Sequence, residues 1–387
     1  MNTELRRHMR RMLNRGNAER IAKFITASTI ADWAAIPPAF ITVDMTWNCN
    51  YECQGCIDTK AIDGADVVRK RQGDDPLRPV PARCSGPCLR SEVVQGVVEF
   101  VKQSHLRGIQ LMGGETLLHP KIDDILETIS SNGIPVEMVT NGSLISQHLA
   151  SLARMLAVQG SSLRVSINGW ENYGQRVGWP EQGDDLRQNV IEGIRQLLAM
   201  VPEDRRHAIY VSTVAFRDAL QDLEKIVTGL SQAGVSHMVV IRERAPDEKG
   251  FIPGQEAVRD ETLERVRRIE ASLPDPKPEI SIADNILVEP IPQEKFYRPC
   301  PSVILKTLLG ADGYLYACTD HRGCKYARLV NIADYDDDIQ KAWKSEQRIT
   351  AALNYLPSLH CRRIVCHRYE GNTVLSLLRS DHPAWTF

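Results

Sequence analysis

The chain has 387 residues, 25% of them charged, with Lys+Arg at 47 against Asp+Glu at 49, for a net charge of −2. That length can bury a large core and carry one big domain plus a smaller one, while the charge balance disfavours nucleic acid as a partner. No run of 18 apolar residues exists to span a membrane, and Arg6, Arg7, Arg10, Arg11 and Arg15 break up any secretory h-region. Ten cysteines without a secretion signal therefore point to a reducing, cytoplasmic setting and to metal rather than disulfides.

Residues 1–38 read as a helical extension, with Met9, Met12, Leu13, Ile21, Phe24 and Ile25 supplying apolar positions, ended by Pro37-Pro38. The run Phe40-Ile41-Thr42-Val43 reads as a first β-strand. It leads into Cys49-Asn50-Tyr51-Glu52-Cys53-Gln54-Gly55-Cys56, a C-x3-C-x2-C motif. Three thiolates this close suit a soft metal or an iron–sulfur cluster, and fall one short of a closed zinc site.

Residues 57–90 mix acids and bases with four prolines and read as a long insertion beside the motif, the position of a lid. Cys84 and Cys88 within it are read as two simple thiols, with further cluster ligation or a redox pair as alternatives. From Ser91 helices and strands alternate. Strands are expected over 108–112, 136–140, 162–167, 207–214 and 236–241, and helices over 91–105, 121–131, 145–158, 183–200, 219–233 and 257–273. With the opening strand this makes six βα units, hence a parallel α/β sheet with right-handed crossovers. Working residues in such sheets gather at the C-terminal ends of the strands. Those ends carry Gly113-Gly114-Glu115, Thr140-Asn141-Gly142, Ser166-Ile167-Asn168-Gly169 and Arg242-Glu243-Arg244.

After the Pro-rich stretch 273–278 comes a second module with five cysteines, Cys300, Cys318, Cys324, Cys361 and Cys366. Residues 303–317 read as strand–turn–strand with Asp312-Gly313 at the turn, bringing Cys300 and Cys318 to neighbouring strand ends. A helix over 337–353 returns the chain to Cys361 and Cys366, so four thiolates can meet on one cluster. Four thiolates on zinc are the structural alternative.

The C-x3-C-x2-C loop on the first strand, with Gly113-Gly114-Glu115 ending the second and Leu117-Leu118-His119-Pro120 after it, resembles the radical S-adenosylmethionine (SAM) superfamily. The resemblance runs from about residue 40 onward and implies a partial (β/α)6 barrel over 39–275. It implies a 4Fe–4S cluster on Cys49, Cys53 and Cys56, and SAM held by Gly113, Gly114 and Glu115. Asn141, Ser166, Asn168 and Arg176 are the further SAM contacts that it assigns by position. Gly55 departs from the pattern, since an aromatic residue usually precedes the third cysteine.

Residues 276–387 resemble the twitch auxiliary-cluster domain, a small α+β relative of the SPASM domain. The likeness rests on the Cys300–hairpin–Gly313-x4-Cys318 layout, on Asn331-Ile332 followed by Trp343, and on a terminal cysteine pair, here C-x4-C instead of C-x2-C. It implies a second 4Fe–4S cluster on Cys300, Cys318, Cys361 and Cys366. Twitch enzymes include dehydrogenases and epimerases of sugars and aminocyclitols. The expected activity is therefore radical hydrogen abstraction from a small polar substrate, with electrons from an external donor such as flavodoxin or ferredoxin. Arg242 and Arg244 are candidate substrate contacts. Cys324, left over from the cluster set, is the candidate hydrogen donor of an epimerase; oxidation through the auxiliary cluster is the alternative. No winged-helix module is evident in residues 1–38 and no seven-cysteine SPASM set is present, which favours a small molecule over a ribosomal peptide. An electron carrier or a zinc scaffold is the reading from outside enzymology, and Gly113-Gly114-Glu115 speaks against it.

Overall fold

The computed structural model describes residues 18–53, 56, 70–71, 87–215, 219–242, 255–273, 277–282, 300–356, 372–373, 375–376 and 379. The six expected strands are present. They are β1 (Phe40–Asp44), β2 (Ile109–Met112), β3 (Val136–Thr140), β4 (Ser162–Ser166), β5 (Ile209–Ala215) and β6 (His237–Arg242). They lie side by side, all parallel, in chain order. A seventh parallel strand, β7 (Glu279–Ile282), extends the sheet beyond β6. Its Ile280 is buried between half-buried or exposed neighbours, a short alternation that the adjoining prolines hid from the sequence reading.

On the other edge the second module joins the same sheet. Strand β8 (Lys306–Leu309) pairs parallel with β1, and β9 (Tyr314–Tyr316) and β10 (Arg328–Asn331) follow antiparallel. The result is one open ten-stranded sheet, ordered β10-β9-β8-β1-β2-β3-β4-β5-β6-β7. The hairpin turn falls where expected, with Gly313 at φ 82 and its N–H on the Gly310 carbonyl. Two expectations in this module are corrected. Residues Pro301–Leu305 form a short helix, so the strand begins at Lys306 and not at 303. The helix expected over 337–353 is two, Ile339–Lys344 and Glu346–Leu353, divided at Ser345, which caps the second by accepting from Arg348 N.

We number the helices α1 (Ala18–Thr26), α2 (Ile30–Ala34), α3 (Val93–Gln103), α4 (Ile122–Ser131), α5 (Leu149–Ala157) and α6 (Tyr173–Val177). They continue as α7 (Gly183–Met200), α8 (Leu223–Gln232), α9 (Gln255–Ser272), α10 (Pro301–Leu305), α11 (Ile339–Lys344) and α12 (Glu346–Leu353). Helix α3 is rich in β-branched valine, which disfavours helix intrinsically. Val93, Val94, Val97, Val98, Phe100 and Val101 are all buried, and burial at about 1.5–3 kcal/mol per large apolar side chain outweighs the propensity deficit. The N-terminal extension is packed onto the body: Arg379 stacks over Trp33 at 4.6 Å and donates to the carbonyls of Phe24 and Ala27. Among the described residues no helix is long and apolar enough to cross a membrane.

Candidate functional site

The cysteine loop leaves the C-terminal end of β1 and is fastened to the end of β2 by backbone. Met45 N donates to Met112 O, Gly114 N to Thr46 O at 2.7 Å, and Glu115 N to Asn48 O at 2.8 Å. The two glycines are what this crossing requires. A Cβ on Gly113 would lie 2.3 Å from Thr46 O, and one on Gly114 would lie 2.1 Å from Asn48 O. The cysteine loop and the Gly-Gly-Glu segment are thus one packed unit.

Glu115 is fully buried and its carboxylate is held by three donors. These are Leu117 N at 2.9 Å, Thr140 Oγ1 at 2.7 Å and Asn141 N at 2.6 Å. A buried charge is tolerated when hydrogen-bonded in this way, and here it braces the ends of β2 and β3 together. Asn141 continues the network. Its Nδ2 donates to Asn50 Oδ1 at 2.8 Å and lies 3.9 Å from Cys49 Sγ, while its Oδ1 accepts from Ser143 N and Ser143 Oγ. Asn50 Nδ2 in turn donates to Ser143 Oγ. Thr140 was named from sequence as part of the strand end Thr140-Asn141-Gly142, whereas Asn50 and Ser143 were not singled out; the only signal was that Asn50 follows the first cysteine.

Cys49 is fully buried, Cys53 and Cys56 are half-buried, and none of the three is in a disulfide. The Tyr51 N–H points at Cys49 Sγ (3.4 Å), an arrangement that favours a thiolate. Among the described residues no three His, Cys, Asp or Glu side chains converge on a single ion. The Tyr51 N–H and Asn141 Nδ2 beside Cys49 Sγ suit a thiolate, the form in which cysteine holds an iron–sulfur cluster.

A second wall comes from the segment after β4. Glu52 N donates to Val177 O, and Trp179 Nε1 donates to Asn50 O at 2.9 Å. Tyr51 and Tyr173 meet edge to face at 6.4 Å, and burial pushes both phenols above their usual pKa. Helix α6 was not anticipated; Gly178-Trp179-Pro180 after it was the available signal. Arg176, on this helix, is buried at 5% exposure. Ser166 is half-buried at the end of β4, its Oγ 3.5 Å from Ser212 Oγ. Asn168 Oδ1 accepts from Val214 N, which ties the end of β4 to β5. Arg242 is the last residue of β6, and Arg244 lies outside the described residues.

Insertion and second module both reach this loop. Lys70–Arg71 pairs with Asn48–Cys49, and Leu89 N donates to Met45 O. Buried His119 accepts from Lys121 N through Nδ1, so Nε2 carries the proton and donates to Leu89 O; burial lowers its pKa. Cys88 is disulfide-bonded, which corrects its reading as a simple thiol; Cys84 lies outside the described residues. From the second module, Arg322 Nη1 reaches Asp44 Oδ1 at 3.1 Å, in a pair 5% and 0% exposed, and its Nη2 lies 3.6 Å from Met112 Sδ. Trp47 donates from Nε1 to Asp44 Oδ2 and packs on Tyr316 at 6.5 Å.

Cys300 opens α10, its Sγ accepting from Asn372 Nδ2 at 3.2 Å, and Cys318 follows β9. Cys324 is fully buried, and Cys361 and Cys366 lie outside the described residues.

Comparison with known proteins finds likenesses of sequence and of fold. Residues 42–168 match a family described as a 4Fe-4S single cluster domain. The GTP 3′,8-cyclase of Helicobacter pylori strain J99 is 27% identical over 190 residues, a match covering 48% of this chain and 51% of the relative. The chain thus spans about half the length of the curated relatives it matches. Among solved structures, Streptococcus suis SuiB bound to its precursor peptide SuiA superposes with a TM-score of 0.56 at 11% identity, over 82% of this chain and 67% of that one. Native anSMEcpe with bound AdoMet gives 0.53 at 14% identity, over 85% and 87%. These two likenesses are of fold. The cysteine motif, the parallel sheet and the matched 4Fe-4S segment together make this chain similar to radical SAM proteins.

Proposed function

We propose that the protein is a radical SAM enzyme acting on a small polar substrate such as a sugar, an aminocyclitol or a nucleoside-like molecule. The observation that carries this reading is the packed unit of cysteine loop and Gly113-Gly114-Glu115 at the C-terminal end of a parallel sheet. Cys49, Cys53 and Cys56 would hold the first 4Fe–4S cluster. Gly113, Gly114, Glu115, Asn141, Ser166, Asn168 and Arg176 would surround SAM. When bound and reduced, this pair supplies a 5′-deoxyadenosyl radical able to take hydrogen from an unactivated C–H. The chain's own work is placement. Glu115 fixes two strand ends, Asn50 and Asn141 orient the first cysteine, and Tyr51, Tyr173 and Trp179 exclude water from behind the loop.

Residues 276–387 would form the auxiliary module, with a second 4Fe–4S cluster on Cys300, Cys318, Cys361 and Cys366. An external one-electron donor of the flavodoxin or ferredoxin kind would serve the first site. Two outcomes divide at Cys324. As an epimerase, Cys324 gives its S–H hydrogen atom to the substrate carbon radical and becomes a thiyl radical, which an electron and a proton restore. As a dehydrogenase, the substrate radical would lose a proton and an electron, and a cluster held by Cys300, Cys318, Cys361 and Cys366 would supply the one-electron acceptor. The full burial of Cys324 favours the second outcome, because a buried thiol is a packing residue first. The likeness to the peptide-bound neighbour, at 11% identity, is one of fold and does not bear on the substrate of this chain.

Anaerobic reconstitution is expected to give about eight irons per chain. Replacing Cys49, Cys53 and Cys56 together should leave about four and end SAM-dependent 5′-deoxyadenosine formation. One cluster in the unmodified protein would overturn the two-cluster reading. Turnover in deuterated water then separates the outcomes: deuterium on product carbon, lost in Cys324→Ala, selects the epimerase.

A further inference from the structure

Asn372 lies 72 residues beyond Cys300 and its side chain returns to it. Its Nδ2 stands 3.2 Å from Cys300 Sγ, while its Oδ1 accepts from Ser302 N at 3.0 Å and from Ser302 Oγ at 2.6 Å. These partners fix which way round the amide lies. A backbone N–H only donates, so the oxygen must face Ser302 and the NH2 group must face the sulfur. Asn372 is 1% exposed and Ser302 is buried beside it, so water does not compete for these contacts.

Cys300 is in no disulfide, and an N–H aimed at its sulfur favours the thiolate over the thiol. The contact is closer than either donor at the first cysteine, where Tyr51 N stands 3.4 Å and Asn141 Nδ2 3.9 Å from Cys49 Sγ. The leading cysteine of each set therefore has an asparagine amide beside it, Asn141 for Cys49 and Asn372 for Cys300. A residue that only filled this space would be apolar. An amide whose oxygen is taken up by Ser302 presents donors to the sulfur.

We propose that Asn372 is a positioning residue of the second module, holding Cys300 as a thiolate and raising the reduction potential of the cluster that Cys300 would help to hold. The proposal rests on the auxiliary-cluster reading given above. Hydrogen bonds to the ligating sulfurs are among the levers that set the potential of an iron–sulfur centre. An N–H donor draws electron density from sulfur and stabilises the electron-rich reduced state more than the oxidised one, which moves the potential up. A higher potential suits a one-electron acceptor, the part this module would play in a dehydrogenase.

The test is an anaerobic redox titration, read by electron paramagnetic resonance, of the reconstituted full chain with Cys49, Cys53 and Cys56 replaced by Ala, so that the second centre alone reports. Asn372→Ala removes the donor without adding charge; Asn372→Asp removes it while keeping an acceptor for Ser302 N and so preserves the local packing. Both variants are expected to keep their iron. At a fixed potential the ratio of reduced to oxidised centre should fall about tenfold, a shift of about 59 mV for a one-electron couple. Iron retained with an unmoved potential in either variant would overturn the proposal and leave the auxiliary cluster standing. Loss of iron from both variants would show a structural support only, and would overturn the tuning role. No iron in the triple cysteine variant, before Asn372 is changed, would overturn the auxiliary-cluster reading and the proposal with it.

Discussion

A methyl group on Gly114 would sit 2.1 Å from the carbonyl oxygen of Asn48, and that oxygen belongs to the loop that carries the first cysteine. Backbone cannot yield there as a flexible side chain would, so Gly114→Ala must displace the cysteine loop from the end of β2. Overpacking of this kind costs about 1–3 kcal/mol. We expect the variant to fold, to lose about half its reconstituted iron, and to release no 5′-deoxyadenosine. Iron content equal to that of the unmodified protein would show that the loop tolerates the shift. At this scale the sequence displayed the reactive groups and hid their supports. Three cysteines in C-x3-C-x2-C are recognisable from thiolate chemistry alone. The Asn50–Asn141–Ser143 network is not, because Asn141 lies 91 residues from Asn50 and polar residues near strand ends are common. The glycines were legible as special positions, but the neighbour they accommodate proved to be the chain's own loop.

Elements were easier to foresee than their joints. Each of the six parallel strands is an apolar run bounded by turn residues, and each was legible to within two residues. Strand β7 was not, since four residues of weak alternation beside prolines fall below what a pattern can separate from a linker. Helices α11 and α12 share one amphipathic register, which concealed the break at Ser345. That break turns Arg348 inward, fully buried, with its guanidinium 3.5 Å from the centre of the Trp343 ring and Nη2 donating to Val303 and Ile304 carbonyls at the end of α10. Burial drives its pKa down to about 9. At neutral pH both folded and unfolded chains keep the proton, and the folded one bears the desolvation cost. As pH rises through about 9 the folded chain releases that proton while the unfolded chain still binds it, so stability grows with pH over this window. Arg348→Met keeps the volume and removes the titration. The Tm of the variant minus that of the unmodified protein should therefore fall as pH goes from about 8 to about 10.5. A difference constant across that range would mean that Arg348 keeps its proton throughout.

On the scale of the molecule, the second module is an extension of the sheet and not a separate lobe, because β8 hydrogen-bonds directly to β1. The sequence showed two cysteine sets and a proline-rich stretch between them, and pattern alone could not reveal that their sheets merge. That contact joins residues 266 positions apart and closes late for that reason. The fold therefore puts the loop of Cys318 and Cys324 beside the loop of Cys49, with Asp44 and Arg322 as the charged link between them. A pair with exposures of 0% and 5% is expensive to break from one side. Arg322→Met would leave the Asp44 carboxylate buried beside Trp47 and Met112 without its cation, at a cost of about 3–5 kcal/mol. Asp44→Asn combined with Arg322→Met removes both charges, keeps an acceptor for Trp47 Nε1, and should recover most of that loss. The single variant should also lose cooperativity, with the β8–β10 edge melting ahead of β1–β6, whereas the double variant melts in one transition. A thermal double-mutant cycle on the reconstituted protein reads both effects. Equal losses in the single and double variants would mean that the two sheet segments are held by backbone pairing alone and that the ion pair contributes nothing to their union.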